Sequence, residues 1–255
     1  MLELWCANAK HLNDEHGFDL RLEEASMKSV LITGANRGIG LGHTKAFVAR
    51  GVHVFATTRG LDEAADLKAL AEAGKVTVLV YDAANPDGPA ALKKELGDTP
   101  IDLLLANAGA MGGSKQSYGS VDIEDVLQLV RVNSLAPLKL VEALADNIAK
   151  SQKKLIALQS SKMGSITDNT SGGYYAYRVS KAALNMVAVG LANDLRSKGI
   201  NVITMHPGWV RTRMGGQGGL ISVDQCVDGQ QQLFDKVQAS DSGHFFNYDG
   251  TELPW

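Results

Sequence analysis

From Lys28 onward, short apolar runs alternate with longer segments of helical periodicity. Seven runs predict β-strands, at Ser29–Thr33, Val52–Thr57, Val76–Tyr81, Leu103–Asn107, Leu155–Gln159, Ile200–Met205 and His244–Tyr248. Six segments between them predict helices, at Ile39–Arg50, Asp62–Ala73, Pro86–Leu96, Ile123–Lys150, Tyr174–Lys198 and Val223–Val237. The runs are almost wholly apolar, which is typical of parallel strands buried on both faces. The pattern predicts an α/β fold, a Rossmann-type doubly wound parallel sheet of about seven strands in a single domain.

The first 26 residues differ from the rest, because acidic residues outnumber basic ones and no strand pattern is present. They lack the basic and apolar regions of a secretory signal. We interpret residues 1–26 as an N-terminal appendage and residues 27–255 as the folded domain. A short helix docked on the domain surface is the alternative.

Composition and charge exclude several classes of protein. A formal net charge of −3 over 255 residues gives no electrostatic reason to expect nucleic acid or an anionic membrane as a partner. The longest apolar stretches, 103–111 and 182–192, are too short to span a bilayer. Cys6 and Cys226 lie far apart and have no metal-ligand spacing, so we expect a reduced, cytoplasmic protein without a metal site.

A glycine-rich turn joins the first predicted strand to the first helix. It reads Thr33-Gly34-Ala35-Asn36-Arg37-Gly38-Ile39-Gly40. Glycines in this position leave backbone N–H groups and the positive end of the helix dipole open to a pyrophosphate. The turn therefore predicts a dinucleotide site, and a tight βα turn without a ligand is the alternative.

Candidate reacting groups lie in the fifth βα unit. Tyr177 and Lys181 are four residues apart on a predicted helix and so share a face. A neighbouring ammonium would lower the phenol pKa and make Tyr177 a usable acid or base. Ser161 follows the fifth strand at the edge where ligands bind in such sheets, with Ser160 as its rival. An ordinary surface helix is the other interpretation of Tyr177 and Lys181.

These residues together resemble the short-chain dehydrogenase/reductase family from Met27 to the C-terminus. Within that family the chain looks closest to C-factor-like and sniffer-like carbonyl reductases, on residues 160–166, 177–185, 206–210 and 248–250. Ala106 departs from the family pattern, and the interval from Ser161 to Tyr177 is longer than the commonest family spacing by about three residues, in a predicted loop at 167–173.

The resemblance implies specific roles for residues of this chain. It implies catalysis by Ser161, Tyr177, Lys181 and Asn133, with Asn133 holding a water beside Lys181; a helix-kink residue is the alternative for Asn133. The implied cofactor contacts are Gly34, Asn36, Arg37, Gly38, Ile39, Gly40, Arg59, Asp82, Asn107, Ala108, Gly109, Tyr177, Lys181, Pro207, Gly208, Val210 and Thr212. His206 has no ligand partner at metal spacing, and we interpret it as structural.

The end of the second predicted strand indicates which cofactor is used. NAD-specific folds usually carry an acid there, whereas this chain has Thr58 followed by Arg59, and Arg37 lies in the glycine turn. Guanidinium groups bind a 2′-phosphate, so we expect NADP(H) rather than NAD(H). Asp62 and Glu63 are assigned to the first turn of the next helix, where a capping role suffices. Solvated surface charges are the alternative for both arginines.

The sequence therefore predicts an NADP(H)-dependent oxidoreductase acting on a small carbonyl or alcohol. One alternative is a non-catalytic NADP(H)-binding signalling or regulatory protein on the same fold. Another is an isomerase or dehydratase that uses the cofactor transiently. A Ser/His/Asp hydrolase is excluded because the sequence has no G-x-S-x-G. We expect a homodimer or homotetramer through helices 123–150 and 174–198, and a mobile lid at 213–219.

Overall fold

A computed structural model describes residues 27–255. Residues 1–26, including the predicted appendage and Cys6, lie outside the described residues. Met27 is buried in the core, at the start of the described chain.

Seven parallel strands form one sheet with the order β3-β2-β1-β4-β5-β6-β7, which confirms the predicted fold class. The strands are β1 Ser29–Ile32, β2 His53–Thr58, β3 Val76–Val80, β4 Leu103–Ala106, β5 Leu155–Gln159, β6 Asn201–His206 and β7 Phe245–Asn247. The order reverses between β1 and β4, so the carboxyl ends of these two strands flank the crevice where such sheets bind ligands.

Helices cover both faces of the sheet. They are α1 Gly38–Ala49, α2 Ala65–Glu72, α3 Gly88–Leu96, α4 Ile123–Val130, α5 Ala136–Ala149, α6 Tyr175–Asp194 and α7 Val223–Lys236. Alternate residues of each strand enter two separate cores. Leu31 and Leu104 pack with α3, α5 and α6, whereas Val30 and Leu103 pack with α1, α2 and α7. Burial on both faces is the reason that the strands have apolar rather than alternating sequences.

The prediction of one continuous helix over residues 123–150 is wrong. A π-helical turn at Arg131–Leu135 separates α4 from α5. Pro137, in the first turn of α5, has no N–H to donate to the carbonyl four residues earlier, and a widened turn accommodates that missing bond. The turn contains Asn133, one of the predicted site residues.

Two other helix boundaries differ from the prediction. The segment 174–198 is helical only to Asp194, and a separate 3₁₀ turn at Arg196–Lys198 ends in Gly199 with a φ of 68°. Asp62 and Glu63 lie in a 3₁₀ turn, Leu61–Glu63, and α2 begins only at Ala65. They are therefore not in the first turn of α2, where Asp66 takes the acidic position. No helix within residues 27–255 is both long and apolar enough to cross a membrane.

Candidate active site

The glycine turn lies against the end of β4, at the point where the strand order reverses. Gly34 and Gly38 have positive φ values of 65° and 53°, which glycine adopts without strain. A side chain at Gly40 would overlap the Gly34 carbonyl oxygen and lie 2.7 Å from Asn107 Nδ2. These positions require glycine, because the backbone of the turn folds tightly onto its neighbours.

The start of α1 has the chemistry to bind an anion. Arg37 stands at the N-cap with an extended backbone, its side chain makes no capping hydrogen bond, and the first turn of α1 holds no acidic residue. Backbone N–H groups at such a helix start, together with the helix dipole, suit a phosphate. The predicted contacts Asn36 and Ile39 lie in this same turn, half-buried.

The segment after β4 fastens the glycine turn to the sheet. Asn107 Nδ2 donates to the carbonyl oxygens of Thr33 at 2.9 Å and Gly34 at 3.3 Å. Ala108 N donates to Thr33 Oγ1 at 3.0 Å. The predicted contacts at the ends of β1 and β4 are therefore brought together, and the bonds of Asn107 serve to shape the turn.

Asn133 links the β4 segment to α6 from its π-helical turn. Its side-chain oxygen accepts from Ala110 N at 2.8 Å, and its Nδ2 donates to Ala110 O and to Ser180 Oγ, both at 2.9 Å. A Cβ at Gly109 would lie 3.2 Å from Asn133 Oδ1 and 3.6 Å from Lys181 Nζ. Asn133 is thus a buried residue beside Lys181 that connects the β4 segment to α6 by hydrogen bonds. Its role in holding a water stays a prediction.

Ser161 and Tyr177 meet between the end of β5 and the start of α6. The Ser161 side chain hydrogen-bonds the phenol, and its Oγ also accepts from Met163 N at 3.2 Å. Ser160 points elsewhere: its hydroxyl donates to Asn185 Oδ1 at 2.6 Å inside the protein. The structure therefore places Ser161, and not Ser160, beside Tyr177.

Lys181 lies one helical turn beyond Tyr177. Its Nζ is 5.8 Å from the centroid of the Tyr177 ring and donates to Gln159 O at 2.8 Å. Burial lowers the pKa of Lys181 to about 8. Burial also raises the pKa of Tyr177 to about 12, against the opposing effect of its bond with Ser161. The expectation that Lys181 lowers the phenol pKa is wrong for this structure, because burial outweighs every other influence on the phenol.

Gln116, which the sequence analysis missed, holds the start of α6 in place. Tyr174, at the N-cap of α6, adopts a left-handed backbone and provides no side-chain cap. Instead Gln116 Oε1 accepts from Tyr177 N at 2.9 Å, and Gln116 O accepts from Tyr175 N at 3.0 Å. Gln116 Nε2 donates to Met111 O at 2.9 Å and to Gly113 O at 2.8 Å. This buried side chain therefore caps the helix that carries Tyr177 and ties it to the loop after β4.

The segment after β6 returns over the glycine turn. A Cβ at Gly38 would lie 3.5 Å from Thr212 Cγ2, so the predicted contacts at these two positions face each other. Val210 pairs with Ile221, and Gly208, after Pro207, has a φ of 80° with Ile221 and Tyr248 packed where a side chain would be. Trp209 Nε1 donates to Gly215 O at 2.8 Å and closes the loop on itself. The mobility of residues 213–219 stays a prediction.

The remaining predicted cofactor contacts, Arg59 and Asp82, follow the ends of β2 and β3. Thr58 is buried, with its hydroxyl donating to Gly60 O at 3.0 Å, and Arg59 is exposed immediately after it. Asp82 follows β3 and accepts from Ala84 N at 2.9 Å. In the sheet order, β2 and β3 are separated from β5 by β1 and β4, so Arg59 and Asp82 lie along the sheet edge from Ser161, as expected for an extended ligand.

His206 is mostly buried, and burial lowers its pKa to about 4, so the ring is neutral at pH 7. Within residues 27–255, no three His, Cys, Asp or Glu side chains cluster as metal ligands.

Comparison with known proteins agrees with this geometry. The family model described as "short chain dehydrogenase" matches residues 28–219. The chain is 40% identical over 156 residues to the C-signal protein of Myxococcus xanthus, covering 61% of this chain and 93% of that one.

Two solved structures are similar over nearly the whole described chain. The carbonyl reductase Sniffer of Drosophila melanogaster aligns with a TM-score of 0.83 and 34% identity, over 90% of this chain and 100% of that one. An NADPH-bound carbonyl reductase from chicken fatty liver aligns with a TM-score of 0.83 and 31% identity, over 90% and 99%. The chain therefore belongs to the short-chain dehydrogenase family, in its carbonyl reductase branch.

Proposed function

We propose that the protein is an NADP(H)-dependent oxidoreductase that interconverts a small carbonyl compound and its alcohol. The observation that carries the proposal is the single buried group formed by Ser161, Tyr177 and Lys181, at the same sheet edge as the glycine turn: a Cβ at Gly109 would lie 3.6 Å from Lys181 Nζ, and one at Gly34 would lie 3.2 Å from Ala108 Cα. The uncapped helix and the glycine at position 40 fit a dinucleotide pyrophosphate. The similar chicken reductase, solved with NADPH bound, supports the choice of cofactor.

Each site residue would have a separate role in carbonyl reduction. When bound, NADP(H) supplies a hydride to the carbonyl carbon or accepts one from the alcohol carbon. Tyr177, whose raised pKa keeps it protonated at pH 7, gives its proton to the carbonyl oxygen. Ser161, whose side chain hydrogen-bonds the phenol in the structure, would donate its proton to that same carbonyl oxygen. Lys181, whose Nζ lies 5.8 Å from the centre of the phenol ring, would bind the ribose of the cofactor beside Tyr177.

A panel of carbonyl compounds with NADPH tests this function and separates it from the alternatives. We expect net oxidation of NADPH that depends on the carbonyl compound and yields the alcohol in equal amount. A non-catalytic NADP(H)-binding protein would bind NADPH and leave it unchanged with every compound. An isomerase or dehydratase would change its substrate without net consumption of NADPH. Either of these two results contradicts the proposal.

We also propose that the protein works in the cytoplasm as a homodimer or homotetramer. Exposed apolar side chains on the two helices predicted to form the interface support an oligomer: Ile123 and Leu127 on α4, and Val179 and Met186 on α6. Light scattering of the purified protein tests this, and a monomer at micromolar concentration would contradict it. The buried free thiol of Cys226 is consistent with a reducing compartment.

A further inference from the structure

A chain of hydrogen-bonded side chains runs from the end of α1, between α1 and α7, to the end of β5. It starts at Arg50, whose guanidinium donates to Gln231 Oε1 and pairs with Asp235 at 2.7 Å. Gln231 Nε2 lies 3.1 Å from His43 Nδ1, and His43 Nε2 lies 2.8 Å from Gln230 Oε1. Gln230 Nε2 donates to Gln159 Oε1 at 3.2 Å.

The direction of every bond in this chain is fixed by its first member. Arginine is only a donor, so Gln231 must present its oxygen to Arg50 and its amide N–H to His43. Burial lowers the pKa of His43 to about 4, so the ring is neutral and carries its single proton on Nε2. His43 therefore donates to the oxygen of Gln230, and the Gln230 amide donates in turn to Gln159.

This polarity leaves the chain with an unused donor at its inner end. Gln159 Oε1 is occupied by Gln230, so its Nε2 cannot exchange places with the oxygen without breaking the chain. Gln159 is only 6% exposed, and its Nε2 has no acceptor among residues 27–255. A buried donor without an acceptor is costly, so an acceptor at this place would be bound favourably.

The residue that carries the unused donor lies between the glycine turn and the reacting groups. Gln159 is the last residue of β5, and its own carbonyl oxygen accepts from Lys181 Nζ. The register that pairs Ala106 with Leu158 brings Asn107 to the level of Gln159. Asn107 contacts Gly34 of the glycine turn. A dinucleotide whose pyrophosphate lies at the glycine turn must pass this level to bring its nicotinamide to Tyr177.

We propose that the Gln159 side-chain amide donates to the carboxamide oxygen of the bound nicotinamide, an inference that rests on the proposed function. We assign a neutral acceptor because the side chains next to Gln159 in the hydrogen-bonded chain are neutral. The one cation of that chain, Arg50, is at its far end and is already paired with Asp235. A phosphate oxygen is better served by the helix start at the glycine turn. Gln230 and His43 act as positioning residues, because they hold the amide of Gln159 in one orientation.

Binding of the whole cofactor and of a truncated cofactor tests this contact without relying on activity. Calorimetry would measure Kd for NADPH and for 2′-phosphoadenosine diphosphoribose, which lacks the nicotinamide. We expect Gln159→Leu to weaken NADPH binding about tenfold, the effect of one lost neutral hydrogen bond, and to leave binding of the truncated cofactor unchanged.

Thr204→Val is the matched control. Thr204 is on the adjacent strand β6, and its hydroxyl is also buried without a partner among the described residues. We expect this variant to bind both ligands as the wild type does. The melting temperatures of the unliganded variants report on folding. We expect Gln159→Leu to melt close to the wild type, because the substitution removes one unpaired buried donor and leaves another, Gln230 Nε2, without its acceptor.

Three results would overturn the inference. Equal losses of affinity for both ligands would mean that Gln159 supports the sheet edge and does not contact the nicotinamide. Unchanged affinity of Gln159→Leu for NADPH, in a wild type that binds it, would remove the contact and leave the proposed function intact. A wild-type protein that binds neither ligand would contradict the proposed function as well.

Discussion

Two arginines stand near the position where NAD-specific dinucleotide folds usually carry an acid. Arg59 follows the buried Thr58 at the end of β2, and Arg37 opens α1 in the glycine turn. Both side chains are exposed at the sheet edge that would receive the adenosine ribose. Their guanidinium groups suit a 2′-phosphate, whereas a carboxylate there would repel it.

Removal of both arginines should abolish the preference for NADPH. We expect each of Arg37→Ala and Arg59→Ala to weaken NADPH binding by about 1–3 kcal/mol, with a much smaller effect on NADH. Lys45→Ala is the matched control, since it removes an exposed cation from the same helix α1 away from its start. A double variant that still prefers NADPH in a Kd comparison would contradict this interpretation of β2.

The pKa of Tyr177 makes the two directions of the reaction respond differently to pH. Reduction needs the protonated phenol, which is present throughout the neutral range when the pKa is about 12. Oxidation needs the phenolate, so its kcat should rise with pH and show no plateau up to about pH 10. Stopped-flow or steady-state rates in both directions check this, and a plateau of the oxidation rate near pH 7 would show that the phenol is acidic in the working complex.

The identity of these residues could be predicted from the sequence, but their electrostatics could not. The spacing of Tyr177 and Lys181 placed both on one face of a helix, and the structure has them there. The direction of the phenol pKa shift depends on how deeply the ring is buried by other elements. That burial is a property of the tertiary structure and has no local sequence pattern.

At the scale of elements, the start of α6 is capped by a residue that is distant in the sequence. Tyr174 provides no side-chain cap, and the amide of Tyr177 is satisfied by Gln116 from the loop after β4. A capping residue more than sixty positions away cannot be recognised from the residues next to the helix start, so the sequence did not predict this cap. For the same reason the π-helical turn around Asn133 could not be predicted: the segment has continuous helical periodicity, and only Pro137 marks the irregularity.

Substitution of Gln116 should therefore affect turnover more than cofactor binding. Gln116→Met keeps the length of the side chain and removes all three of its hydrogen bonds, so we expect a lower Tm and a kcat reduced about tenfold or more. Gln116→Glu keeps an acceptor for Tyr177 N but loses both donated bonds, and we expect an intermediate effect. The adjacent exposed Ser117→Ala is the control. Full turnover in Gln116→Met would show that α6 holds its position without this cap.

At the scale of the whole molecule, the two buried histidines His43 and His206 make the fold sensitive to acid. Burial lowers the pKa of each from 6.5 to about 4. Between these values the unfolded chain binds protons that the folded protein does not, so stability falls as pH decreases from about 6.5 to about 4. Above pH 6.5 both rings are neutral in the folded and the unfolded protein, so the two histidines no longer reduce the free energy of unfolding.

Urea unfolding at several pH values measures this loss. We expect the free energy of unfolding to fall by a few kcal/mol per histidine across that range. His43→Asn and His206→Asn should each remove a similar part of the slope, and the double variant should keep only the part near pH 4 that comes from carboxyl groups with lowered pKa values, such as Asp98. A wild-type stability that stays constant between pH 6.5 and 4 would mean that neither ring is neutral and buried in solution.

At the scale of the whole molecule, the parallel, doubly wound sheet was predictable because most βα units have their own apolar run and their own helix. About seven strands were expected, and residues 27–255 contain seven, with boundaries within one residue of the predicted ones. The two-core arrangement follows from strands that are apolar at every position. The buried polar chain from Arg50 to Gln159 could not be predicted, because α1, α7 and β5 come together only in the folded sheet.

The central claim is that Tyr177 is the acid of a carbonyl reductase. The most direct test compares wild type and Tyr177→Phe for turnover of the best carbonyl compound with NADPH, and for NADPH affinity in the same preparations. We predict that turnover falls by about two orders of magnitude or more, the usual contribution of a positioned acid, and that NADPH affinity is retained. Turnover in Tyr177→Phe equal to that of the wild type would contradict the account.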